Sequence, residues 1–304
     1  MFAGIRTFEQ IRKDLEDSIV LVQSLLARKI NNTCRVMLYL QDVAELERTW
    51  QVDSGKAAIA EHGNRRLVNS TMEADVLGYV TKLLADKIKT DKQLLEKLEQ
   101  CFYGPTQAED ERPGASIKAR NFFFEMRLLG QLVSAKLPAI AGEHPDVQTE
   151  IAGKPVLIEC KRAFSRNNLR SLASKARDQL NRELESDPTA TGFIAFDLTR
   201  ILPDDRWYVL YRDRLELNAW FEATQQYIKE TFEPDIVSAL RNKTHQRAAG
   251  MIEYFQIAGH NLSTGRWGTS WKQEFVPFRD RGSKNSIAME FARLIREAQP
   301  ATQR

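Results

Sequence analysis

Cysteine is scarce in this chain of 304 residues, which holds only Cys34, Cys101 and Cys160. An odd, scattered set without paired ligand spacing excludes a disulfide framework and a structural zinc site, and points to a reducing, intracellular compartment. Histidine is nearly as sparse. His62, His245 and His260 lack ligand spacing, and His144 reads as a surface turn residue. Long apolar runs are missing as well: residues 1–13 carry charges without the apolar core of a signal peptide, and no stretch approaches bilayer-spanning length. The expectation is a cytoplasmic protein that does not enter a membrane. A dominant charge is also absent, since 44 Lys and Arg face 41 Asp and Glu for a net charge of +3, with a sequence pI near 8.7. This balance permits nucleic-acid binding but confines any basic surface to a local patch. Internal repeats, low-complexity tracts, zinc fingers and RNA-recognition motifs are all lacking.

What is present has the composition of an ordinary globular protein, 42% hydrophobic and 28% charged. Leu15, Ile19, Val22, Leu25 and Leu26 recur at helical spacing, as do Val80, Leu83, Leu84, Ile88, Leu94, Leu95 and Leu98. Residues 1–110 therefore read as a helical module, with a loop around 53–55 and 62–64. Gly104-Pro105 and Pro113-Gly114 bracket an acidic cluster that reads as a linker, which sets the domain boundary near residue 110. Beyond it, over 111–304, strands alternate with helices in an α/β layout. Helices are expected at 117–134, 169–184, 215–230 and 287–297, and strands at 192–196, 207–210, 250–258 and 274–278.

Glu159-Cys160-Lys161 is the one acid-x-lysine tripeptide in the chain, and it closes the apolar run Val156-Leu157-Ile158. Strand alternation puts Val156, Ile158 and Cys160 on one face and Leu157, Glu159 and Lys161 on the other, so carboxylate and ammonium lie side by side. Val147, Thr149 and Ile151 alternate before a break at Gly153-Lys154-Pro155, which makes 146–161 a hairpin that returns Asp146 towards Glu159. Phosphodiester hydrolysis needs a cation on the phosphate oxygens and a positioned, deprotonated water. Magnesium binds through one or two carboxylates, so Asp146 and Glu159 form a minimal site with the Cys160 carbonyl as a further ligand. Lys161 then orients or helps deprotonate the water and stabilises developing charge.

Pro145-Asp146 followed by Glu159-Cys160-Lys161 resembles the signature of the PD-(D/E)xK nuclease superfamily, over roughly 117–196. The resemblance implies a restriction-endonuclease-like fold, an α/β mixed central sheet flanked by helices, here with an all-helical N-terminal module. It implies Mg2+, with Mn2+ able to substitute, held by the two acids. Pro203-Asp204 and Pro234-Asp235 have no acid-x-lysine strand after them and serve as internal controls. A carboxylate on the preceding helix often joins such sites, and Glu125 falls there, within the apolar stripe of Phe122, Leu128, Leu129 and Leu132. A buried acid of this kind needs compensation. Gln179 matches the glutamine that some branches carry on the following helix, although Glu183 stands where the exonuclease-like branch has tyrosine.

Arg162, Arg166, Arg170, Lys175 and Arg177 follow the motif with few acids among them and suit contact with a phosphate backbone. The other reading of that run is a solvated helix face. Trp267 and Trp271 are suited either to stacking on bases or to packing a C-terminal strand. Three functions stand open: a DNA endonuclease in a restriction, repair or anti-phage defence setting, a non-catalytic nucleic-acid-binding or scaffolding protein that keeps the fold, and a helical interaction protein whose α/β half binds a small ligand. The resemblance further implies pairing into a homodimer or higher oligomer, and the helical half suits a regulatory protein partner.

Overall fold

A computed structural model describes residues 6–53, 64–106, 118–240, 243–278 and 286–297. Among the described residues the first four helices are α1 (Phe8–Leu26), α2 (Arg35–Asp53), α3 (Asn64–Thr90) and α4 (Lys92–Cys101). Their starts follow from local chemistry. Thr7 and Gln10 close a reciprocal capping box at the head of α1, and the Asp91 carboxylate accepts the Leu94 N–H at the head of α4. The expected loop at 54–63 and most of the expected linker, from 107 onward, lie outside the described residues.

Helix α5 (Lys118–Ser134) leads into β1 (Ala139–Ala141), β2 (Val147–Ile151) and β3 (Lys154–Arg162), then α6 (Leu169–Ser186) and β4 (Thr191–Asp197). The rest comprises β5 (Tyr208–Tyr211), α7 (Arg214–Thr231), α8 (Glu233–Leu240), β6 (Ala248–Asn261), β7 (Arg266–Pro277) and α9 (Ser286–Glu297). The chain is thus mixed α/β, with helical elements ahead of a curled mixed sheet of seven strands. Strands β1, β2 and β3 form an antiparallel meander, and β4 joins β3 in parallel through the α6 crossover. Strand β6 continues in parallel beside β4 along its first half and beside β5 along its second, while antiparallel β7 covers its other edge.

Alternation along the strands feeds two cores. Val156, Ile158, Cys160, Phe193 and Ala195 face one cluster, which also holds Ile11, Leu15, Val80, Leu84 and Leu98 of the N-terminal helices. Leu157, Ile194 and Phe196 face the other, with Ala173, Ala176 and Leu180 of α6. The apolar stripes of α1 to α4 therefore share a core with the sheet, and Gln256 on β6 donates to the Met72 carbonyl of α3 at 3.2 Å. Helical spacing reports that a face is apolar and leaves open what it packs against.

Beyond the expected elements, the structure adds β1 and α8 and starts the last strand at Arg266, eight residues ahead of the expected 274. Trp267 and Trp271 are buried in that extension, Trp267 stacked on Phe8 at 5.4 Å, so these rings pack the sheet and do not face bases. The expectation at 146–161 is met as an antiparallel pair, with Val147 opposite Ile158 and Ile151 opposite Lys154. Its two-residue turn has φ of 50° at Ala152 and 74° at Gly153, the left-handed pair that matches strand twist.

Candidate active site

Glu159 lies in the centre of β3, flanked by β4, and is fully buried. Lys161 shares its face, and the Lys161 ammonium donates to Glu159 Oε2 at 2.9 Å and lies 3.6 Å from Asp146 Oδ2. Asp146 sits in the turn just before β2. The pairing of β2 with β3 ends at Ile158, and beyond that point the Asp146 carboxylate takes over, with Oδ2 accepting the Cys160 N–H at 2.7 Å. A strand residue presents its N–H and C=O to the same edge, so the Cys160 carbonyl faces the same side as Asp146.

The turn is set by Gly142. Its N–H donates to the Asp146 carbonyl at 3.1 Å, and a Cβ here would stand 2.6 Å from the Pro145 carbonyl oxygen. Only glycine closes this turn without moving Asp146. The Gly142 carbonyl in turn accepts from the Lys97 ammonium at 2.6 Å. Lys97 reaches across from α4 and also pairs with Glu125 on α5 at 2.8 Å. The compensation expected for the buried Glu125 is thus a lysine from the N-terminal helices. Sequence reasoning passed over Lys97, although a signal existed: Leu94, Leu98 and Cys101 form the buried stripe of α4, and Lys97 occupies a slot on it.

Burial, with Asp146 adding to it, pushes the Glu159 carboxyl up to about 7, and Lys161 only partly offsets this. Burial and Asp146 likewise raise Glu125 to about 7 against the pull of Lys97. Burial opposes the Lys161 charge, but Asp146 and Glu159 outweigh it and hold the ammonium above its ordinary value. Lys161 is therefore a fixed cation in this state, suited to orienting and charge stabilisation more than to taking a proton. Glu159 Oε1 is buried without a hydrogen-bond partner among the described residues, a costly arrangement for a carboxylate.

That unpartnered oxygen beside a second carboxylate fits a divalent cation held by Asp146 and Glu159. No group of three or more His, Cys, Asp or Glu at metal-holding spacing occurs among the described residues. A site here would be of the two-carboxylate type, completed by a carbonyl and water.

The other expected residues scatter. Gln179 is half-buried on α6, without a hydrogen bond to Asp146, Glu159 or Lys161 among the described residues. Arg166, Arg170 and Lys175 are exposed beyond β3 and stay available to solvent. Arg177 is engaged in packing, bonded to the Ala239 carbonyl at 2.6 Å and to Asp178. Arg162 follows Lys161 but points to the opposite face, 3.9 Å from Asp197.

No family model, curated protein or solved structure matches this chain. Among the described residues no helix is long and apolar enough to cross a membrane.

Proposed function

We propose that the protein is a magnesium-dependent nuclease that hydrolyses phosphodiester bonds in DNA, with manganese able to substitute. The observation that carries this reading is the meeting of Asp146, Glu159 and Lys161 beside the helix-borne Glu125, with one Glu159 oxygen left unpartnered. The order helix α5, hairpin β2–β3, helix α6, parallel strand β4 supports a restriction-endonuclease-like fold. A bound cation would stabilise charge on the phosphate and acidify a water. Asp146, Glu159 and the Cys160 carbonyl would hold it. Lys161 donates to the phosphate or the water, and Glu125, near neutrality, is suited to exchange a proton. Arg166, Arg170 and Lys175 would follow the DNA backbone. Endonuclease action in restriction, repair or anti-phage defence, by paired copies, is the setting that suits this chemistry.

The test is incubation with supercoiled and linear duplex DNA, with and without magnesium or manganese, beside Lys161→Ala. Metal-dependent nicking of closed circles, reduced about a hundredfold or more in the variant, is the expected result. Cleavage that survives in well-folded Lys161→Ala or Asp146→Ala refutes it.

The closed ion pairs of Lys97 with Glu125 and Lys161 with Glu159 favour a second reading, a non-catalytic nucleic-acid-binding or scaffolding protein. Calorimetry separates the two. An enzyme binds magnesium and loses it in Asp146→Asn, whereas a scaffold binds none.

A further inference from the structure

On the opposite side of α5 from Glu125, a second polar site opens. Arg120 and Arg127 are seven residues apart on one stripe of α5, and Arg127 is two residues past Glu125, so the two charge types project to opposite sides. These arginines line an open cleft with a cavity of about 30 Å³, together with Arg162, Arg200, Glu73 and Asp197. Arg162 ends β3 and Asp197 ends β4, so the cleft lies at the carboxyl ends of parallel strands, where open α/β sheets place their ligands. Four guanidinium groups meet two carboxylates there.

The carboxylates are already engaged. Glu73 accepts from Arg120 at 2.5 Å, and Asp197 Oδ1 accepts the Thr199 N–H at 2.9 Å. Arg200 lies over the Phe164 ring at 3.7 Å. Arg127 is the outlier. It is 4% exposed and packed 3.1 Å from the centroid of the Tyr254 ring, and among the described residues its one hydrogen bond runs to Gln256 Oε1 at 3.4 Å. Its Nη2 is buried with no hydrogen-bond partner among the described residues. Burial drives this guanidinium down to about 9, and Asp197 and Glu73 only partly offset it. A guanidinium is not given up to neutrality in ordinary conditions, so an unpaired one in a cleft lacks its anion.

We propose that this cleft binds a phosphate group, with Arg127 as the buried anchor and Arg200 and Arg162 as flanking donors. The planar fork of arginine matches phosphate oxygens bidentately, and several forks converge on one opening. Phe123 and Trp207 also line the cleft, whose open side leaves whatever carries the phosphate in solvent. The carrier is either a small phosphorylated molecule or the end of a DNA strand. The inference does not depend on the nuclease reading, because it involves neither Asp146 nor Glu159 and calls for no metal.

The experiment is metal-free titration of the full chain with inorganic phosphate, followed by calorimetry at fixed ionic strength with chloride as the control anion. Wild type should bind saturably, and Arg127→Met should raise the dissociation constant at least about tenfold, as loss of a charge-assisted bond implies. Its melting temperature should hold or rise, since a buried unpaired charge is removed. Should that variant fail to fold, Arg200→Gln decides by the same weakening. Equal binding by wild type and variants, or none by wild type, overturns the proposal. Adenosine monophosphate and a short duplex with or without a 5′-phosphate then separate the sources. A preference for the phosphorylated duplex end assigns nucleic acid, and a preference for the mononucleotide assigns a small ligand.

Discussion

At the scale of single residues, the candidate site is a contest between burial and charge. Glu125, raised to about 7, would rise further without Lys97, which itself is anchored to the Gly142 carbonyl. Lys97→Ala should cost about 2–4 kcal/mol at pH 8, because it strands a buried carboxylate. At pH 5 the loss should be much smaller. The Glu125 carboxyl is already raised to about 7, rises further without Lys97, and so takes a proton and escapes the penalty at low pH. Urea unfolding at the two pH values checks this, and an equal loss at both rules it out. Gly142→Ala makes a separate test. The clash with the Pro145 carbonyl must displace the turn, so the variant should remain folded but lose magnesium binding at Asp146, measured by calorimetry.

At the scale of elements, the β2–β3 hairpin carries two of the site's acids and its lysine, and its register depends on one tight turn. Ala152 sits at a φ of 50°, where a Cβ costs about 1 kcal/mol. Asn-Gly is the preferred pair for such a turn, so Ala152→Asn should raise stability by about 0.5–1 kcal/mol without altering the site. Gly153→Ala, at a φ of 74°, should lower it by about 1 kcal/mol. Thermal or urea midpoints decide both. This hairpin was also the most legible element in the sequence, because period-2 alternation, Gly153 and the apolar run all agreed. Strand β1 was not legible: three residues, Ala139 to Ala141, are too few to show alternation, and pairing with β2 alone defines them. Helix α8 was masked by Pro234, which looks like a breaker but sits in the first turn, where its missing N–H costs nothing.

For the whole molecule, the buried acids with raised carboxyls push the pH response one way, against Glu73, where Arg120 and Arg35 outweigh burial and hold the carboxyl below its ordinary value. Glu253, near the middle of β6, is raised to about 8 by burial first and then by Glu233 across from it. Gln225 donates to its carboxylate at 3.1 Å, and Glu274 lies opposite in register on β7. A carboxyl raised on folding holds its proton in the native state after the unfolded chain has released one. The contribution of Glu253 to stability should therefore be highest on the acid side, fall as pH climbs from the ordinary value of 4.5 to about 8, and level off above. Glu125 and Glu159 push the same way up to about 7. Glu253→Gln should make the decline in urea midpoint shallower, and an unchanged profile refutes the assignment.

By itself the sequence determined the local features. It set the helical stripes, the alternation that puts Glu159 beside Lys161, the hairpin that returns Asp146, and Glu125 on an apolar helix face. Each of these follows from a backbone period and the chemistry of near neighbours, which a linear chain carries in full. Only the tertiary structure decided what meets across distance. It brought Lys97 to Glu125, joined the N-terminal helices to the sheet in one core, and set Arg162 with Arg120 and Arg127 around a second cleft. Periodicity fixes which face a side chain occupies. What that face opposes depends on how whole elements dock, and docking is set by the shapes of surfaces far apart in the chain.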